Sequence, residues 1–214
     1  MLLAAAAAAS CASASTGGPQ APANGDGPRI VQPGAPGQGA REFDGTLAEI
    51  QGAEYTDADV AFMQGMIHHH AQALEMTALV NERTSSQGFR RMALRMQISQ
   101  TDEIAMMQTW LRERGHDVPQ VGSHGMMHGG HMMMPGMLSE AQMQSLRGAR
   151  AEAFERFFLE YMIQHHQGAI TMVHGLLDTP GAAQESTINF FANEVDADQT
   201  IEIQRMQDML GQIR

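Results

Sequence analysis

Apolar residues recur at intervals of three and four through four long segments of the chain, the spacing that lines up one face of an α-helix. In the first segment Phe62, Met66, Ala73, Met76 and Val80, with Met63, Ile67 and Leu74 alongside, make one broad apolar face. Thr56-Asp57-Ala58-Asp59 offers an N-cap with acidic residues in the first turn, so a helix is predicted from there to about Arg83. Thr84-Ser85-Ser86-Gln87-Gly88 interrupts the pattern. A second helix runs from about Gln87 to Arg114, and Gly115 suits its stop. Ser139-Glu140-Ala141-Gln142 has the form of a capping box opening a short helix. A long helix follows from about Ala151 to Leu177, then a turn at Asp178-Thr179-Pro180-Gly181, then a last helix from about Ala183 to the C-terminus.

These segments are related to one another. Phe62 to Met76 aligns without a gap on Phe158 to Met172, an offset of 96. The helix after each also matches: Gln100-Thr101-x-Glu103-Ile104-x-x-Met107-Gln108-x-x-Leu111 falls on Gln199-Thr200-x-Glu202-Ile203-x-x-Met206-Gln207-x-x-Leu210. Each half is therefore a predicted helical hairpin, over residues 56–115 and 139–214. Two hairpins packed together make an all-α four-helix bundle. Residues 116–138 join them and carry no helical period.

Ahead of the bundle, residues 12–55 are rich in Ser, Gly, Pro, Ala and Gln and poor in apolar residues. Such a stretch cannot bury enough surface to offset its ordering entropy, and it is predicted to be a disordered tether. Residues 1–11 are apolar and short, which suits an export signal rather than a membrane span, although the usual preceding Lys or Arg is missing. Ala8-Ala9-Ser10-Cys11 has the form of a loose lipobox, which would put a lipid anchor on Cys11; the alternative is a plain secretory signal with an incidental cysteine. Either way the mature chain is expected to be periplasmic or secreted, and to meet a membrane only through such an anchor.

Composition sharpens the picture. There are 19 Met against 8 Phe, 2 Tyr and 1 Trp, and the formal net charge is −11. That charge repels phosphate backbones and argues against nucleic acid as a partner, while favouring cations. Methionine is both an adaptable core filler and a soft sulfur ligand, so its count does not separate packing from metal binding. With a single cysteine no internal disulfide is possible.

Two groups of residues can carry chemistry. The first lies on the helices. Met66, His69 and Met76 share a stripe, and Met162, His165 and Met172 are its counterpart; His70 and His166 sit one position round. Glu103 and Met107, and in the other half Glu202 and Met206, lie on facing stripes, where a carboxylate could orient a metal-bound imidazole or simply satisfy a buried one. Duplication copies structural contacts as faithfully as ligands, so spacing leaves both roles open. The second group is the linker: His124, Met126, Met127, His128, His131, Met132, Met133, Met134 and Met137 stand in a Gly-rich stretch that no core explains. Thioethers favour Cu(I) and Ag(I), and imidazole also suits Cu(II).

The doubled motif Phe62-x-x-x-Met66-Ile67-x-His69-His70 and Phe158-Leu159-x-x-Met162-Ile163-x-His165-His166-Gln167-Gly168-Ala169-Ile170-x-Met172 resembles a bacterial family catalogued as a domain of unknown function, number 305 in its series. Glu103-Ile104-x-x-Met107-x-x-Trp110-Leu111 and Met137-Leu138-Ser139-x-x-Gln142-Met143-x-x-Leu146 also look like its pattern, and the likeness spans about residues 56 to 213. The resemblance implies a ferritin-like bundle, export and, for members with an assigned role, copper binding and copper tolerance, with copper efflux or carrier proteins as potential partners. It implies no catalytic reaction. The chain departs from the pattern at Ala71 and Gln72, where Gln-Gly or Glu-Gly usually follows the His pair, and at Met209, where the second helix has Trp110.

The expected function is thus a non-enzymatic copper(I) or silver binding protein for buffering, sequestration or tolerance. A ferritin-like oxidase needs Glu-x-x-His on two helices. Here the residues three before the helical histidines are Met66, Ile67, Met162 and Ile163, and the only Glu-x-x-His, Glu113 to His116, spans Gly115. A blue-copper carrier needs a cysteine ligand that this chain lacks outside its signal. A purely structural or envelope-interaction bundle is the remaining alternative.

Overall fold

The helical part of the chain begins at a cap built as the sequence predicts. Thr56 is extended (φ −115°, ψ 169°), its hydroxyl accepts from Asp59 N, and the Asp59 carboxylate accepts from Thr56 N at 2.7 Å, ahead of α1 (Asp57–Ala78). Asp59 is fully buried, and its other oxygen accepts from Ala183 N at 2.7 Å, tying the start of the first hairpin to the turn inside the second. Asp59→Ala is expected to cost about 2 kcal/mol, a lost cap plus an unpaired buried donor. A thermal or urea midpoint unchanged from wild type would contradict it.

The computed structural model describes residues 30–32, 41–43, 54–120 and 134–213, and the chain divides into two units, Met1–Gln51 and Gly52–Arg214. In the first unit β1 (Ile30–Gln32) pairs antiparallel with β2 (Arg41–Phe43), Ile30 opposite Phe43. The tether predicted over residues 12–55 did not anticipate this ladder. Three residue pairs make a minimal hairpin, and a segment this poor in apolar periodicity gives little sign of one. The predicted export signal and Cys11, with the rest of residues 1–29, lie outside the described residues.

The second unit is all-helical among its described residues: α1, then α2 (Val80–Arg83), α3 (Gln87–Glu113), α4 (Glu140–Gly148), α5 (Ala151–Leu177) and α6 (Ser186–Leu210). α1 packs along α3, α5 along α6, and α1 against α5, with α4 laid on α5. Gly115, in the left-handed region (φ +73°), ends α3 in a Schellman arrangement, with His116 N donating to Leu111 O and Gly115 N to Arg112 O. The Ser139–Gln142 capping box opens α4.

Two boundaries differ from the sequence pattern. The first helix was expected to reach Arg83, but it ends at Ala78. Leu79 keeps helical angles (φ −72°, ψ −22°) while its N–H bonds back to Met76 O, so the ladder tightens for a turn before α2. The last helix was expected from about Ala183 and starts at Ser186, because Ala183 is left-handed (φ 53°) and held by Asp59. Glu185 caps it, accepting from Ile188 N and from the Trp110 indole N–H at 3.2 Å.

The core is divided in two. One apolar cluster takes Phe62, Met63, Met66 and Ile67 of α1, Ile104, Met107 and Leu111 of α3, Ala169 and Val173 of α5, and Ile188, Phe191 and Val195 of α6. The other takes Ala73 and Met76 of α1, Phe89, Met92 and Met96 of α3, Phe154, Phe158, Leu159 and Met162 of α5, and Met206 of α6. Burying each of the larger side chains contributes roughly 1.5–3 kcal/mol. All four long helices change from one cluster to the other partway along, and the residues at that change are polar. No helix among the described residues is long and apolar enough to cross a membrane.

Candidate functional site

Between the two clusters lies a polar layer. His69 and His70 of α1, His165 and His166 of α5, Gln100 of α3 and Gln199 of α6 are all buried. Helical spacing puts them there: on each helix they fall between apolar positions of one cluster and those of the other, so burying both clusters carries the polar residues inside.

The two halves of the layer share a plan. His70 Nε2 stands 2.5 Å from Glu103 Oε2, and His166 Nε2 stands 2.7 Å from Glu202 Oε2. The sequence reading paired these helices, and the structure joins those residues. Ser99 Oγ donates to the second oxygen of Glu103 at 2.7 Å. Burial alone would raise the Glu103 carboxyl, but the hydrogen bond and charge of His70, helped by Ser99, outweigh it and hold the pKa below the usual range.

His69 and His165 meet face to face across the α1–α5 contact, ring centroids 3.8 Å apart and planes 38° off parallel. Burial pushes His69 down to about 3, with the neighbouring His70 adding to it and the Pro135 carbonyl opposing. Burial, then the charge His69 and His166 would carry, takes His165 well below its ordinary value. Both rings are neutral at neutral pH. His69 Nε2 donates to Pro135 O at 3.1 Å. Four ring nitrogens are buried without a hydrogen-bond partner, His69 Nδ1, His70 Nδ1, His165 Nε2 and His166 Nδ1, as are Gln100 Oε1 and Gln199 Oε1. In a neutral imidazole whose other nitrogen donates, such an atom is a free lone pair, the form in which histidine binds metal.

The end of the linker closes the layer on the α1–α5 side. Pro135 and Gly136 (φ +75°) form a turn closed by Met137 N donating to Met134 O. Gln72 clasps the next residue, donating to Leu138 O at 3.0 Å and accepting from Leu138 N at 2.7 Å. Gln164 donates to Gly136 O at 3.3 Å. Gly168 of α5 lies directly beneath: a Cβ there would overlap the Pro135 carbonyl and fall 2.5 Å from Gly136 Cα. The departure of the first repeat from the second therefore has a physical reason. Position 72 grips the linker and position 168 makes room for it, because one linker crosses two equivalent helices on one side only.

The remaining predicted residues separate into three groups. Met66, Met76, Met107, Met162 and Met206 are wholly buried in the apolar clusters. Met172 is only partly buried, and its methyl and the Met134 sulfur come within 3.4 and 3.5 Å of where a Cβ on Gly65 would be, one turn before His69. Met137 is half-buried beside Leu138. His124, Met126, Met127, His128, His131, Met132 and Met133 lie outside the described residues. Among the described residues no three His, Cys, Asp or Glu side chains already converge on one ion-sized point. The sequence reading missed Gln72, Ser99, Pro135 and Gly168 as parts of this site. The broken repeat at Gln72 and Gly168 was the available signal for two of them.

The family model described as a domain of unknown function (DUF305) matches residues 59–210. The chain belongs to this family. Among solved structures it is similar to a DUF305 protein described as secreted, from Streptomyces coelicolor, at 30% identity over 72% of this chain and 93% of that one, TM-score 0.63. It is also similar to a DUF305 fragment from Deinococcus radiodurans, at 34% identity over 74% and 98%, TM-score 0.64. CopM in its Cu(I)-bound form shares the fold, with TM-score 0.57 over 74% of this chain and 98% of CopM, at 22% identity. CopM has also been seen bound to silver and to Cu(II). No curated protein matches the sequence.

Proposed function

We propose that this DUF305 protein is an exported, non-enzymatic binder of copper(I) and silver that buffers or sequesters the metal through methionine and histidine. Its helical unit is read as a ferritin-like four-helix bundle of two repeated hairpins. The observation that carries the reading is the doubled layer of four buried histidines with unpartnered ring nitrogens. A structural layer would be expected to satisfy those atoms, since a buried polar atom left unpaired costs about 1–3 kcal/mol. The soft thioethers of Met134 and Met172 one turn away, the linker's methionines and the copper and silver forms of CopM support the same reading. Delivery partners would be copper carriers or efflux proteins. Export fits the secreted description of the Streptomyces relative, with a lipid anchor at Cys11 a separate question answered by mass spectrometry of the mature chain.

The test uses a chain whose linker Met and His residues between 121 and 133 are replaced by Ser. Adding His165→Ala and His166→Ala is expected to weaken Cu(I) binding, measured against a competing chelator, at least about tenfold per folded molecule with helical content kept. Lower stability with undiminished Cu(I) binding in the folded fraction would make the layer scaffold and place the remaining Cu(I) binding on donors outside both the layer and residues 121–133.

A further inference from the structure

Three sides of the helical unit are closed by helix packing, α1 along α3, α1 against α5 and α5 along α6, while α3 and α6 stand apart with a groove between them. These two helices run in opposite directions, since Met96 and Met206 share one apolar cluster and Ile104 and Val195 the other. Large apolar side chains are exposed on this face: Ile98 of α3 at 55% and Ile201 of α6 at 48%, the latter lining the groove. Gln100 and Gln199 enter the polar layer at one level, so Ile98, two residues before the first, and Ile201, two after the second, lie at the same height. Charge divides on either side of them. Arg95, Ile98 and Asp102 follow at intervals of three and four, as do Glu194, Asp198, Ile201 and Arg205, so each series is one exposed stripe. Both arginines lie toward one end of the face and the three acids toward the other. None of the five has an ion-pair partner among the described residues.

We propose that this face pairs with the same face of a second copy of the chain, forming a two-fold dimer. An axis lying across the helices at the height of Ile98 and Ile201 sets α3 against α3 of the other copy and α6 against α6, each antiparallel. Arg95 of each copy then falls opposite Asp102 of the other, and Arg205 falls opposite the turn between Glu194 and Asp198. Asp208, a turn beyond Arg205, falls opposite Asn193 and meets no like charge. One axis position thus satisfies both helices and buries the isoleucines at the centre, rimmed by opposite charges. An axis along the helices would lay arginine near arginine and acid near acid, so charge selects the first arrangement. A face two helices wide and roughly 30 Å long covers about 600 Å², of the order of the roughly 800 Å² per partner in a stable complex. The net charge of −11 opposes approach from a distance, but salt screens it beyond about 8 Å and leaves the contact pairs. The second copy covers the groove through which Glu103 and Glu202 meet solvent, leaving the linker side as the approach to the histidine layer. The paired stripes use no residue of that layer, so pairing is independent of metal binding.

Sedimentation of the full metal-free chain, at tens of micromolar in about 0.15 M salt, is expected to give twice the mass of one chain. A single-chain mass overturns the proposal. Arg95→Glu with Arg205→Glu, and separately Asp102→Arg with Asp198→Arg, are each expected to weaken pairing at least about tenfold at unchanged helical content. Mixed in equal amounts, the two variants are expected to pair with each other, because each changed position then faces the opposite charge. A two-chain mass that neither variant reduces overturns the face, and so do variants that stay single when mixed. Should either variant not fold, the wild-type chain decides by methyl NMR. The Ile98 and Ile201 signals are expected to move with chain concentration while that of Leu177, exposed on α5, stays. Movement of Leu177 without the two isoleucines overturns the face.

Discussion

Acidification from pH 7 to pH 5 is expected to remove about 2 kcal/mol of folding stability from the metal-free protein through His69, with His165 adding to the loss in the same direction. Both rings have folded-state pKa values below the ordinary 6.5, His69 at about 3, mainly because of burial. The unfolded chain takes up protons as pH falls through about 6.5, whereas the folded chain does not until far lower. In that window each imidazole favours unfolding by up to about 1.4 kcal/mol per pH unit. The surrounding groups do not rescue them. On α1 and α5 the neighbours are His70 and His166, whose charge would oppose protonation, and the α3 and α6 carboxylates Glu103 and Glu202 face those two rings instead. The Pro135 carbonyl supports the His69 proton but is outweighed by burial. Glu103, its folded pKa lowered from the ordinary 4.5, adds stability that is lost as pH falls through its folded value, below this window. Urea unfolding at pH 7, 6 and 5 measures the effect. A stability flat over that range would mean that the two rings are solvated or already charged in the folded state.

Gly168→Ala is expected to destabilise the bundle by about 3 kcal/mol, against the usual gain of nearly 1 kcal/mol for that change inside a helix. The new methyl group meets backbone, the Pro135 carbonyl and Gly136 Cα, so no rotamer change relieves it. The chain's way out is to release residues 134–138, giving up the Gln72 clasp, the Gln164 bond and the His69 contact with Pro135. Hydrogen exchange should show the Leu138 amide losing protection along with the fall in midpoint. Gly65→Ala is the control. Its Cβ would meet only the flexible ends of Met172 and Met134 at 3.4 and 3.5 Å, so the helix-propensity gain should survive. Equal behaviour of the two variants would mean that the linker end does not rest on α5 in solution.

The sequence was enough for everything that depends on local spacing. Apolar intervals of three and four residues located all four long helices, and cap chemistry at Thr56, Ser139 and Gly115 marked ends that the structure reproduces. The same spacing put the four histidines at the apolar face and set Glu103 and Glu202 on the stripes that turn toward them. The family followed from the doubled motif, which a single helix of this composition would not have carried. Tertiary structure decided what spacing is silent about. The histidine layer is defined by two apolar clusters meeting at one level of all four helices, and that level depends on how the helices are set against each other. Leu79 and Ala183 have ordinary helical residue types; hydrogen bonds to Met76 and to the distant Asp59 set the breaks there. Gln72 and Gly168 look like a lapse in the repeat until the linker is seen lying across both. A one-dimensional pattern records which face of a helix is apolar, but which loop covers that face and which cleft stays open are properties of the packed chain.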